Sequence, residues 1–346
     1  MDQSSDDSFD SLPDQTVSVS TADNDVAGFT VSESGGTTSV NESGTTDTFT
    51  VVLNAQPVPG QQVVFSITSS DTGEATATSA LTFTNGNWDT PQTVTVTGVD
   101  DSLLDGSQSS TFTVSVVDGN SSDEFDAVAD QTVSGVTVDN DVAGFTITEI
   151  SGTTVSESGT TDTFTIVLDA QPGSDVVLSI SSSDTGEATV TSPLTFTNTN
   201  WDTPQTVTVT GVDDDIIDGN INSTLTVSVV DAVSDDDFDS VADQTVTATT
   251  SDNDVAGFTI AETGGSTTVA ETGTTDTFTI VLNAQPLSDV VLSISSSDTG
   301  EATVTSSITF TNANWNTAQT VTVTGVDDNI IDGNINSTLT VAIVDE

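Results

Sequence analysis

The chain has 346 residues, of which 54 are aspartate or glutamate and none is lysine, arginine or histidine, for a formal net charge of −54. With no basic footprint, recognition of a nucleic-acid backbone is excluded, and anionic membrane surfaces repel the chain. No cysteine is present, which removes disulfides and thiol chemistry, and no run of 18 apolar residues exists to span a bilayer.

In chain order, the opening MDQSSDDSFD has neither a basic n-region nor an apolar h-region, so no signal peptide is expected here. The string DNDVAGFT then begins at Asp23 and returns at Asp139 and Asp252. A repeat of about 110 residues is a whole domain rather than a solenoid rung. Within the first repeat the signal has period two. In TDTFTVVL, Phe49, Val51 and Leu53 share one face; in QTVTVTGV, Val94 and Val96 do; in TFTVSVV, Phe112, Val114 and Val116 do. Such alternation marks half-buried strands of antiparallel sheets. Seven or eight short strands per repeat and no helix are expected, so the fold class is all-β, as tandem immunoglobulin-like β-sandwiches. Trp88, Trp201 and Trp315 recur in NxNW turns and are expected to plug a sandwich end. Glu74, Glu187 and Glu301, in the repeated DTGEAT, are expected to lie in a solvated turn.

The predicted divisions are 1–25, the closing strand of a preceding or neighbouring domain; 26–141, repeat 1; 142–254, repeat 2; and 255–346, repeat 3, lacking its last strand. The piece absent from repeat 3 has its counterpart at the other end. SSDDSFDSLPDQTVSVSTADND, residues 4–25, matches the close of repeat 2, with Phe9 in the place of Phe238 and Val17 in the place of Val246. Two explanations stand. The sequence is a piece of a longer array, or residues 4–22 complete repeat 3 of another chain by donor-strand complementation.

Acids recur at three places in each repeat. A turn between strands carries Asp100, Asp101 and Asp105; Asp213, Asp214 and Asp218; Asp327, Asp328 and Asp332. A glutamate follows a short apolar position at Glu42, Glu157 and Glu271, and the repeat joints carry Asp23 and Asp25, Asp139 and Asp141, Asp252 and Asp254. Asp also favours turns through its own backbone hydrogen bonds. With no basic side chain to oppose them, however, clustered acids need a dissolved cation. Calcium suits an all-oxygen set of six to eight donors, and zinc, copper and iron prefer the His and Cys that this chain lacks.

The early V-x-E, the DD-containing turn before a TFTV-type strand and the closing strand ending in DND resemble the Calx-beta domain family over nearly every repeat. The resemblance implies a Calx-beta-like β-sandwich with calcium at one end. It implies Glu42, Asp100, Asp101, Asp139 and Asp141 as ligands in repeat 1, and Glu157, Asp213, Asp214, Asp252 and Asp254 in repeat 2. The family's further acidic run is replaced by Gly106, Ser107 and Gln108, and by Gly219, Asn220 and Ile221, so one or two ions per joint are expected. Tandem repeats of this kind are familiar in large secreted bacterial surface proteins and adhesins.

With no His, Lys, Arg, Cys or Tyr, general-base and oxyanion chemistry has few carriers, so no enzyme is expected. The expected function is a non-enzymatic extracellular structural module at the cell surface. It would be a calcium-rigidified linear rod in a filament, stalk or adhesin extension, its partners being calcium ions and neighbouring repeats or copies end to end. The alternatives are a filament subunit joined head to tail through residues 4–22 and a ligand-binding adhesin for a glycan, ice or a cell surface.

Overall fold

The computed structural model describes residues 6–331 and 333–345. They form strands and short 3-10 turns, with no α-helix among the described residues. No helix among them is long and apolar enough to cross a membrane. The chain divides into two compact units, 1–140 and 141–346.

The first unit holds nine strands: β1 (Phe29–Glu33), β2 (Thr38–Asn41), β3 (Thr46–Leu53), β4 (Gln62–Ser69), β5 (Ala75–Ala77), β6 (Ala80–Thr84), β7 (Gln92–Gly98), β8 (Gln108–Val116) and β9 (Gln131–Val138). One sheet has the order β1-β3-β7-β5 and the other β2-β9-β8-β4-β6. The period-two pattern sets which face is buried. Phe49, Val51 and Leu53 of β3 and Val94 and Val96 of β7 turn inward against Phe65, Phe112 and Val133 of the opposing sheet. Phe65 packs edge-on between Phe29 and Phe83, at centroid distances of 4.7 and 5.9 Å. In β3 and β7 threonines take the outward positions. Nine strands stand where the pattern predicts seven or eight, because three-residue strands such as β5 are too short to show alternation. The pairing also departs from purely antiparallel. After β1 the chain crosses to the other sheet, and β2 lies parallel to β9, with Thr38 opposite Gly135 and Asn41 opposite Val138.

The second unit repeats this arrangement over β10 (Phe145–Glu149), β11 (Thr153–Ser156), β12 (Thr161–Leu168), β13 (Val176–Ser182), β14 (Ala188–Val190), β15 (Leu194–Phe196), β16 (Gln205–Gly211), β17 (Ile221–Val229) and β18 (Gln244–Ser251). Its sheets are β10-β12-β16-β14 and β11-β18-β17-β13-β15. It then continues through β19 (Phe258–Glu262), β20 (Thr275–Leu282), β21 (Val290–Ser296), β22 (Ala302–Val304), β23 (Ser307–Phe310), β24 (Gln319–Gly325) and β25 (Leu339–Ile343). In this third sandwich one sheet is complete, β19-β20-β24-β22, and the other has only β23-β21-β25. Among the described residues it holds no counterpart of β11 or of β18. Without a counterpart of β18, the stretch matching β11 has no parallel partner, and residues 267–270 stay irregular. For the same reason β25 spans five residues where its counterpart β17 spans nine.

Residues 16–28 form no strand, and the segment 6–25 is exposed throughout. Within it a 3-10 turn, Asp7–Phe9, is capped by Asp6, whose carboxylate accepts from Ser8 N at 2.9 Å. Residues 1–5 lie outside the described residues.

One contact positions the later site. A Cβ on Gly98 would overlap the carbonyl oxygen of Asn41, and a Cβ on Gly211 that of Ser156. Each glycine ends the strand that leads into the acidic turn, and each carbonyl belongs to the residue before Glu42 or Glu157. Only a missing side chain lets these backbones cross. Gly211→Ala is therefore expected to destabilise the second sandwich by about 1–3 kcal/mol through overpacking, read as a lower denaturant midpoint. The exposed Gly219→Ala is not a fair control, since its φ is 77°, whereas Thr247→Ala on the outer face of β18 should leave the midpoint within about 0.5 kcal/mol of the parent.

Candidate metal centres

In the second sandwich the ends of β11, β16 and β18 and the start of β14 converge. Glu157 follows β11, and its N–H donates to Ser251 O at 3.2 Å. Glu187 precedes β14. Its carbonyl accepts from Val212 N at 2.8 Å and from Thr250 Oγ1 at 3.2 Å, which ties the exits of β16 and β18 to this turn. Asp218 comes from the acidic loop, and Asp252 and Asp254 follow β18. Two triads result, Glu157–Glu187–Asp218 and Glu157–Asp252–Asp254, each with one carboxylate oxygen per residue within 4.8 Å of the others. Glu157 belongs to both.

Part of this charge is held by N–H donors. Asp252 accepts from Gly219 N at 2.9 Å and from Asp254 N at 2.6 Å, and Glu157 Oε2 accepts from Asn253 N at 3.0 Å. Other oxygens are not. Glu157 Oε1, Glu187 Oε2, Asp218 Oδ1 and Asp254 Oδ2 are buried atoms with no hydrogen-bond partner. Buried carboxylate oxygens left unmatched, with no ammonium or guanidinium anywhere in the sequence, fit a hard cation with oxygen ligands. The residues present therefore suit the ion that the sequence implies.

The first unit reproduces the first triad as Glu42–Glu74–Asp105. Asp139 Oδ2 accepts from Asp105 N at 3.2 Å and Gly106 N at 2.8 Å, and Glu42 Oε2 accepts from Asn140 N at 3.3 Å. The unit ends at Asn140, so Asp141, the counterpart of Asp254, opens the next one.

Burial and like charge set the protonation of these groups. Glu42, 1% exposed, is pushed up to about 7, first by burial and then by the charges of Asp139, Asp101 and Glu74. Glu187 is likewise pushed up to about 7, by burial and then by Asp218, Asp214 and Glu157. Burial is also the leading cause that raises Glu74, Asp105, Glu157, Asp218 and Asp254.

Of the sequence candidates, the structure gathers Glu42 and Asp105, and Glu157, Asp218, Asp252 and Asp254. The paired aspartates of the turns take other places. Asp100 and Asp213 accept from the side-chain amides of Asn140 and Asn253 at 3.1 and 3.0 Å. Asp101 and Asp214 cap their own turns, accepting from Leu103 N and Ile216 N at 2.7 and 2.6 Å. None of the four belongs to a triad, but the charge of Asp101 raises Glu42 and Glu74, and that of Asp214 raises Glu157, Glu187, Asp218 and Asp254. In the third sandwich, Glu271 and Asp328 are half-buried, Asp327 is exposed, and no triad forms among the described residues, outside which Asp332 falls. Asp23 and Asp25 are exposed, and Asp25 N donates to Asp23 as Asp254 N does to Asp252.

Sequence reasoning missed Glu74 and Glu187. They are not solvated; they are 8% and 6% exposed. The backbone bonds of the DTGE turn aim these side chains into the sandwich end, which no local pattern announces. Their invariance over three repeats, in a chain without bases, was the available signal.

The acidic loop of the second sandwich also makes a contact outward. Ile216 forms an isolated parallel bridge with Gln285 of the third, with Gln285 N donating to Asp215 O at 2.6 Å and Ile217 N to Gln285 O at 3.3 Å.

No family model matches the sequence, and a search of curated proteins finds no match. Among solved structures, the chain is similar to CBD12 from CALX1.2, at 14% identity over 57% of this chain and 79% of that one, with a TM-score of 0.25. It is also similar to domains 4 and 5 of the S-layer protein SbsC, at 14% identity over 64% and 97%, TM-score 0.27. An I-band fragment of titin matches at 9% identity over 91% and 94%, TM-score 0.25.

The raised glutamates fix the sign of a pH effect. A carboxyl with a folded pKa near 7 and an ordinary value of 4.5 binds more protons folded than unfolded between those pH values. Stability is then fully present below about 4.5 and is lost as pH rises through 7. In EDTA the chain should be more stable at pH 5 than at pH 7.5, by about 2 kcal/mol per glutamate. Glu42→Gln with Glu187→Gln should flatten that slope, checked by calorimetry across the range.

Proposed function

We propose that the chain is a non-enzymatic, secreted structural repeat module whose sandwiches are rigidified by calcium, as part of a surface filament, stalk or adhesin extension. The observation that carries this reading is the pair of acidic triads sharing Glu157, with orphaned buried oxygens on Glu157, Glu187, Asp218 and Asp254. Glu157, Glu187, Asp218, Asp252 and Asp254 would hold calcium in the second sandwich, and Glu42, Glu74, Asp105 and Asp139 in the first. The motif resemblance to Calx-beta domains points the same way. Calcium is favoured over magnesium because the donors come from four separate segments. Calcium tolerates 6–8 oxygens in loose geometry, while magnesium demands a near-ideal octahedron.

The ion would do mechanical work through the acidic loop. Asp218 sits on the segment whose Asp215, Ile216 and Ile217 bond to Gln285 of the third sandwich. Neutralising the triads fixes that loop, and with it the contact, between sandwiches joined by only the few residues that separate β18 from β19. Nothing in this scheme asks for a reacting group. The acids sit at equivalent places in successive repeats, as expected of a part used many times and not of a single catalytic cleft.

Calcium at about 100 times its dissociation constant should stabilise the chain by about 2.7 kcal/mol per site at pH 7.5. Glu187→Gln should weaken binding at least tenfold in calorimetric titration, yet raise the melting temperature in EDTA by removing a repelling charge. Identical melting and identical scattering profiles in EDTA and in millimolar calcium would overturn the reading.

A further inference from the structure

In the second sandwich the chain enters along β10, turns at 150–152, crosses to the other sheet as β11 and leaves along β18. β11 is four residues long and lies at the edge of its sheet. A parallel ladder that short, of the less stable kind of pairing per residue, adds little to the folding equilibrium. Its direction matters more. β11 and β18 run the same way, with Thr153 opposite Ala248 and Ser156 opposite Ser251. Drawing the entry and the exit of the sandwich apart therefore slides β11 backward along β18. The evenly spaced bonds of the ladder then resist together, not one after another. Forced unfolding is governed by the unfolding barrier and not by equilibrium stability, so a short ladder placed this way counts for far more under tension than at rest.

The entry strands are tied to the exit strand at three levels. At the entry end Gln244 Nε2, on the first residue of β18, donates to Phe145 O, on the first residue of β10, at 2.6 Å. The ladder follows. At the exit end Glu157 N donates to Ser251 O at 3.2 Å, and Glu157 Oε2 accepts from Asn253 N at 3.0 Å. The other edge of β11 is held as well. Thr154 N donates to Asp162 Oδ2 at 2.9 Å and Ser156 N to Thr160 Oγ1 at 2.7 Å. With both edges bonded, β11 is not free to swing away from the exit strand.

The first sandwich repeats every tie. Gln131 Nε2 donates to Phe29 O at 2.6 Å, Thr38–Asn41 lies parallel to Gly135–Val138, and Glu42 N donates to Val138 O at 3.2 Å. Ser39 N and Asn41 N donate to Asp47 Oδ2 and Thr45 Oγ1 at 2.9 and 2.6 Å. The ties recur although the cores beneath them differ, with Phe112 and Gly135 in the first sandwich where the second has Leu225 and Ala248.

We infer that these two sandwiches carry tension along the chain, with the β2–β9 and β11–β18 ladders as shear clamps that pass force from the entry strands directly to the exit strand. The core is not stretched until the clamp gives. The acidic centre stands at the exit end of the clamp. Glu157 comes from the entry side, and Asp252 and Asp254 come from the exit side. An ion held between them locks the ladder against sliding. This last step rests on the calcium reading; the clamp does not.

The sequence has no cysteine, so two introduced ones serve as the handles for single-molecule force spectroscopy on the full chain. Val142→Cys with Val255→Cys, at residues that are each 75% exposed, grips the second sandwich at its entry and exit and shears the ladder. Ser158→Cys with Val255→Cys, Ser158 being exposed as well, grips the same end of both strands and peels the ladder open bond by bond. In EDTA and at one loading rate, the shearing pair is expected to unfold at severalfold the force of the peeling pair. Equal forces, or a lower force for the shearing pair, would overturn the clamp. Gln244→Ala should lower the force of the shearing pair and leave the peeling pair unchanged, since the tie to Phe145 is the last one reached when peeling starts at the exit end. An equal fall in both would show that Gln244 only stabilises the fold and would remove it from the clamp. In millimolar calcium a higher force for the shearing pair supports the ion as a lock. Calorimetric titration of the same chain separates the two ways this can fail. Calcium bound without a gain in force overturns the lock alone, and no calcium bound overturns the reading on which the lock rests.

Discussion

A carboxylate removed from water must find a donor, a cation or a proton, and in this chain the side-chain donors are uncharged amides and hydroxyls beside the backbone N–H groups. Glu42 and Glu157 illustrate the limit. Each has one oxygen on the N–H of an asparagine and each lies against further acids. Two such charges about 4 Å apart repel by roughly 4 kcal/mol at an effective dielectric of 20. The sandwich ends that hold Glu42 and Glu157 are therefore under electrostatic tension that protonation or a divalent ion relieves. Away from these ends some acids are satisfied locally, as Asp47 is by the N–H groups of Ser39 and Thr48.

That tension is built by the fold and not by the loops alone. The crossing of Gly98 under Asn41, and of Gly211 under Ser156, brings a glutamate from one sheet against a turn that leaves the other. The carbonyls of Glu74 and Glu187 bind the exits of one strand from each sheet, β7 and β9 in the first sandwich and β16 and β18 in the second, so the glutamate side chains turn inward. Where β9 or β18 is present, the asparagine and aspartates behind it close the cluster. In the third sandwich that strand is absent and no triad forms among the described residues. Core completion and acid clustering thus depend on the same strand.

Among the described residues the third sandwich shows no counterpart of β18 and none of β11, the four-residue strand that in the second sandwich is held by its parallel ladder to β18. Its β25 is four residues shorter than β17. The remaining core, Phe278, Ile280, Leu292, Phe310 and Val321, stays packed. The sandwich persists with one flank open.

Read alone, the sequence determined the strand class and the buried faces of β3, β7 and β8, because period-two alternation is a local property that burial simply obeys. It also determined that any ion here must meet oxygen, since composition permits nothing else. Only the tertiary structure decided that Glu74 and Glu187 belong to the acidic centres while Asp101 and Asp214 cap their own turns. Membership depends on which way backbone hydrogen bonds aim a side chain, and residues some 30 to 100 positions apart settle that. The parallel lie of β2 on β9 was likewise invisible in the chain, because strand pairing is decided between segments and not within them.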